Sequence, residues 1–178
     1  MRFVGVTSIF VLICASLAQA DDLPSRKPGL WEVKTSIDSR NAPAQVIRQC
    51  IDATTDQMMQ SIAGPYSLAV CPKREVQSSE NSTTIDSTCT IGGKTATAHS
   101  VVTGSLDSAY TMTVTSQGEN LPGGKMIMTM EAKRLGPCAA DQKPGDIILS
   151  NGKTINILEV QKHIPSNVPL PPRERTSE

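Results

Sequence analysis

The chain has 178 residues, 17 Lys and Arg against 17 Asp and Glu, two His, one Trp and five Cys. Balanced charge without a basic run removes the electrostatic footprint of a nucleic-acid binder. Two unclustered histidines offer neither a zinc motif nor an assembled general-base site.

Residues 1–20, MRFVGVTSIFVLICASLAQA, run from Arg2 through an apolar stretch to Ala18-Gln19-Ala20. That small-x-small ending is what a signal peptidase accepts, so the expectation is a periplasmic protein cleaved after Ala20. The apolar run, broken by Thr7 and Ser8, falls short of the ~20 residues of a membrane span, and no later segment approaches one. Cys14 follows Ile13, where lipid attachment wants a small residue, which argues against a lipid anchor. Removing the leader takes away one basic residue and leaves residues 21–178 one charge on the acidic side, a length suited to one domain with one core.

The segment LWEVKTSID (30–38) sets Trp31, Val33, Thr35 and Ile37 against Glu32, Lys34 and Ser36. Period two with one apolar face predicts a half-buried strand. A second strand is expected at 44–51. Thr54 as N-cap with Gln57 three residues on predicts a short helix over 55–63, stopped by Gly64-Pro65. CPKREVQSS (71–79) and STTIDSTCTI (82–91) flank Glu80-Asn81, and opposing Val76 to Ile85 keeps their apolar residues on one face. That register sets Cys71 beside Thr90 rather than Cys89.

Gly92-Gly93 turns the chain into a strand at 94–104. AYTMTVTSQ (109–117) follows, with Tyr110, Met112 and Val114 on one side and threonines on the other. Leu121-Pro122-Gly123-Gly124 turns again into KMIMTMEAKRLGPC (125–138), where Met126, Met128 and Met130 alternate. Uncharged Thr-rich outer faces suit a solvated antiparallel sheet. In DIILSNGKTINILEV (146–160), Asn151-Gly152 between apolar runs signals a hairpin. A helix over 155–163 competes, since Ile155, Leu158 and Lys162 also fit its period. Residues 164–178 are Pro-rich with little to bury and are expected to be a disordered tail.

The expected architecture is mainly β: a curved antiparallel sheet of about seven strands approaching a half-barrel, with one short helix and a C-terminal hairpin. The expected organisation is a signal peptide (1–20), a single β-rich domain (21–163) and the tail.

Cys50, Cys71, Cys89 and Cys138 remain after cleavage. An even number in an exported chain predicts two disulfides. Spacing leaves three connectivities open. The favoured pair is Cys50–Cys71, closing the loop around the short helix, with Cys89–Cys138 tying the sheet to its exit segment.

Three local patterns occur in order: KPGLWEV (27–33), a hairpin bracketed by Cys71 and Cys89, and a Met-rich strand running into AKRLGPC (132–138) and KPGD (143–146). In this combination the chain resembles the bacterial exported proteins grouped as domain of unknown function 3617, over residues 27–146. The resemblance implies a Gram-negative envelope or periplasmic location and a β-rich domain. It carries no activity and no site residues.

The methionine stripe admits three uses. Thioethers are soft ligands suited to copper(I) or silver(I), but a rise of ~3.3 Å per residue sets Met126 and Met130 ~13 Å apart, too far to share an ion. Adaptable methionines also fill core gaps or line a cavity for an apolar ligand. Sheet core is the primary expectation. Met112, Met126, Met128, Met130 and Trp31 are the ligand-face candidates, with Trp31 favoured as buried packing over ligand stacking.

Gly92-Gly93-Lys94-Thr95 lacks the first glycine of a phosphate loop, and no nucleophile elbow appears. His99 is expected as an exposed strand residue. No catalytic residue, metal site or cofactor is assigned. The expected function is a non-enzymatic periplasmic module presenting a concave Met/Val/Ile face to an apolar small molecule or another envelope protein, with Ala96 and Ala98 leaving room beside it. A copper- or silver-binding protein acting through Met side chains is the alternative, and a structural protein self-associating through sheet edges is a third.

Overall fold

The computed structural model describes residues 24–38, 43–60, 71, 73–91, 93–119 and 121–163. The expected leader, the Pro-rich tail and the Gly64-Pro65 helix stop lie outside these residues.

Nine strands are described: β1 (Gly29–Ile37), β2 (Gln45–Ile51), β3 (Lys73–Ser78), β4 (Ser82–Ile91), β5 (Lys94–Ser105), β6 (Ala109–Gln117), β7 (Lys125–Gly136), β8 (Asp146–Ile148) and β9 (Thr154–Asn156). They form one open antiparallel sheet in the order β3-β4-β5-β6-β7-β1-β2-β8-β9. The count exceeds the expected seven because the C-terminal hairpin joins the main sheet, β8 pairing with β2 and β9 with β8. Two short helices accompany it, α1 (Ala53–Met58) and α2 (Ile157–Lys162).

β3 to β7 form a meander, and β7 then pairs with β1 from Leu30↔Gly136 to Ile37↔Met128. This closure places β1 inside the sheet, so its alternation delivers fully buried Trp31 and Val33. The Val76↔Ile85 register is the one expected from the sequence. Apolar residues gather in two clusters on one face. Trp31, Val33, Tyr110 and Ala132 join Met59 and Ile157 near the helices; Val76, Ile85, Ala98 and Val114 join Cys71 and Cys89 at the other end. Met112 and Val102 pack against both.

Two local expectations change. The N-cap of α1 is Asp52, not Thr54: Asp52 Oδ1 accepts from Thr55 N at 2.7 Å, while Thr55 Oγ1 accepts from Asp52 N at 2.9 Å. β2 ends at Ile51, so the helix begins without a linker and the cap falls two residues earlier. At the C-terminus both competing elements exist in sequence: the Asn151-Gly152 turn makes a short hairpin, and Asn156, accepting from Leu158 N, caps α2 where β9 ends.

The disulfide pairing also differs from expectation. The bonds are Cys50–Cys138 and Cys71–Cys89 rather than Cys50–Cys71 and Cys89–Cys138. Cys50 and Gly136 flank the same β1 residue, Leu30, on its two sides, which brings the chain just after β7 to the end of β2. Cys71 precedes the start of β3 at Lys73, beyond the β3–β4 register, and bonds to Cys89 rather than lying opposite Thr90.

Candidate functional site

Antiparallel pairing lines up side chains from successive strands in rows. One row runs Thr35, Met130, Met112, Val102 and Thr83 from β1 to β4. The row beside it holds Ile37, Met128, Val114, Ser100 and Ile85, and on the other side lie Val33, Ala132 and Tyr110. Along these rows, between the two core clusters, lies an apolar cavity of about 380 Å³. Ile47 from β2, Leu106 from the β5–β6 turn and Met59 beyond α1 complete its apolar lining.

Met112, Met128 and Met130 line this cavity, whereas Met126 faces Ser116 one row further on and does not. All four are half-buried, so the stripe is cavity wall as well as core. Met112 and Met130 are directly opposed, which makes them the direct cross-strand thioether pair of β6 and β7. Ala96 and Ala98 are buried, Ala98 in the far cluster, and neither lines the space.

Trp31 is not a lining residue. It is 0 % exposed, its Nε1 donates to the Lys27 carbonyl at 2.8 Å, and its ring sits 5.8 Å from that of Tyr110. The Arg26 guanidinium stands 5.6 Å from its ring centroid, within cation–π range. Trp31 thus supports the residues that face the cavity.

One corner of the cavity is polar. Arg26, 6 % exposed, meets Asp56, 0 % exposed, from the first turn of α1. Arg26 donates through Nε to Oδ1 at 2.8 Å and through its backbone N to Oδ2 at 2.7 Å, with Nη2 2.7 Å from Oδ1. Its Nη1 donates to Gln49 Oε1 at 2.9 Å, and Gln60 Nε2 donates to Asp56 Oδ2 at 3.0 Å. Buried charges persist only when paired and hydrogen-bonded, and this network meets that requirement. Burial pushes the Tyr110 hydroxyl above its ordinary pKa, while the adjacent Arg26 opposes that rise.

The opposite face carries a different constellation. His99 lies between Asp86 and Thr115 across β4, β5 and β6, and His99 Nδ1 is 2.7 Å from Asp86 Oδ1. Both groups are more than half exposed. The arrangement is an exposed cross-strand His–Asp hydrogen bond.

Sequence reasoning reached the methionines but missed Arg26, Asp56, Gln49 and Gln60. Arg26 and Asp56 are 30 positions apart and no local pattern links them. Ile47 and Gln49 alternate on β2 in a segment whose polarity blurs the period.

The family described as Protein of unknown function (DUF3617) matches residues 26–138. The match begins at Arg26 and ends at Cys138, so it contains the cavity lining from Arg26 onward and both disulfides, while β8, β9 and α2 lie beyond it. No curated protein and no solved structure matches the chain.

Proposed function

The chain belongs to the DUF3617 family, and from its geometry we propose a non-enzymatic binding protein for a small apolar or amphiphilic molecule, working in an oxidising compartment such as the periplasm. The observation that carries this reading is the cavity of about 380 Å³ between the two core clusters. The space is partly open to solvent, as a binding cleft is, and small-molecule sites are clefts or cavities of ~300–1,000 Å³ that combine apolar walls with a few placed polar groups. The Met112, Met128 and Met130 walls suit such a role, because flexible thioethers adapt to varied apolar shapes. Two disulfides, the leader-like residues 1–20 and the absence of a membrane-length helix among the described residues support export.

The test is binding of the uncharged fluorophore N-phenyl-1-naphthylamine to wild type and to Val102→Trp, which fills the middle of the cavity. Wild type is expected to raise the probe's emission, and the variant to weaken binding about tenfold or more, a loss of about 1.4 kcal/mol. A wild type indifferent to the probe, or a folded variant that binds it equally well, overturns the proposal.

A further inference from the structure

The polar corner specifies the head group of the occupant. We infer that the cavity takes an uncharged amphiphile whose head both donates and accepts a hydrogen bond, as an alcohol does. This rests on the apolar-ligand reading above and names its ligand class.

Arg26 and Tyr110 are the ionisable groups that line the cavity. The Arg26 charge is already matched by Asp56 through close contacts, so the corner carries no net charge. A carboxylate head would find its cation taken and the Asp56 charge beside it. Its desolvation would then go uncompensated. A cationic head would meet Arg26 itself.

The two glutamines give the corner its hydrogen-bonding sense. Gln49 Oε1 accepts from Arg26, which orients the amide and leaves Nε2 as a donor. Gln60 is fixed the opposite way: Nε2 donates to Asp56 Oδ2 and to the Pro24 carbonyl, leaving Oε1 as an acceptor. Neither Gln49 Nε2 nor Gln60 Oε1 has a hydrogen-bond partner among the described residues, and both side chains line the cavity. The corner therefore offers one amide donor and one carbonyl acceptor beside a neutralised ion pair. A hydroxyl satisfies both, donating to Gln60 Oε1 and accepting from Gln49 Nε2, while its hydrocarbon chain extends along Met112, Met128 and Met130.

Protein loaded with N-phenyl-1-naphthylamine is titrated with 1-decanol, decyl methyl ether and decanoate at a pH about three units above the carboxyl's reference value. The ether is the decisive control, because it is more apolar than the alcohol yet donates no hydrogen bond. The alcohol is expected to displace the probe at about five- to tenfold lower concentration than the ether, with decanoate weakest. In Gln60→Leu, which removes the acceptor that the ether cannot use, the ratio of the ether's displacing concentration to the alcohol's is expected to fall to about one. An ether equal to or better than the alcohol, a decanoate that competes as well as the alcohol, or a Gln60→Leu protein that keeps the preference overturns the head-group inference and leaves the apolar-ligand reading standing. A wild type that does not take up the probe removes both.

Discussion

Arg26 and Asp56 form a buried pair whose removal one residue at a time differs from its removal whole. Asp56→Ala leaves a guanidinium at 6 % exposure without its carboxylate, and the expected loss of stability is about 3–5 kcal/mol. Replacing both, Arg26→Met with Asp56→Leu, is expected to recover most of that loss, since an apolar pair of similar volume needs no compensating charge. Urea unfolding of the three proteins, analysed for midpoint and slope, checks both expectations. At this scale the sequence was partly legible. Alternation put Met112, Met128 and Met130 on a shared face because period two is a local property. The polar corner was hidden because its members, Arg26, Gln49, Asp56 and Gln60, each read locally as ordinary surface residues, and only the meeting of α1 with β2 and the segment before β1 makes them a unit.

Among the elements, β1 carries the greatest constraint. It pairs on both edges, its register with β7 shifts between Leu30 and Trp31, and Gly29 enters it with φ +136°. A Cβ on Gly29 would stand 2.3 Å from the Gly136 carbonyl oxygen, a backbone atom that cannot swing away. Gly29→Ala is expected to cost about 1–3 kcal/mol or more from backbone strain alone. Gly136→Ala meets the same kind of strain at φ +141° but nothing lies within 4 Å of the added carbon, so without the clash it is expected to cost less, and thermal melts of the two variants rank them. The existence of β1 was plain from LWEVKTSID, and the β3–β4 register followed from matching Val76 with Ile85. The cap of α1 was misplaced because Thr54 and Asp52 are both good capping residues. What decides between them is that β2 runs to Ile51, a tertiary fact. The hairpin and helix signals near the C-terminus overlapped because β9 and α2 share a boundary with no spacer.

For the whole molecule, β7 beside β1 joins the two ends of the matched region, and the disulfides are nested within that arrangement. Cys71–Cys89 encloses a sequence separation of 18 and Cys50–Cys138 one of 88. Loop-entropy scaling gives about 3 kcal/mol for the first and about 4–5 kcal/mol for the second. The Cys50→Ser, Cys138→Ser double variant is therefore expected to melt below the Cys71→Ser, Cys89→Ser double variant, as measured by calorimetry. On sequence, Cys50–Cys71 was favoured as closing the loop around the short helix and Cys89–Cys138 as tying the sheet to its exit segment. The sheet order, a property of the finished molecule, reverses that preference.

The nesting has a consequence in time. A chain made from its N-terminus presents Cys50 and Cys71 before Cys89 and Cys138, so an oxidant that joined thiols in order of appearance would produce Cys50–Cys71, a bond that the finished sheet does not contain. Reaching Cys50–Cys138 then requires that bond to be reopened by a thiolate through a mixed disulfide, a step that runs over seconds to hours unless catalysed. Oxidative refolding of the reduced chain is accordingly expected to reach Cys50–Cys138 faster when a disulfide isomerase is added, as read by mapping the bonds over time.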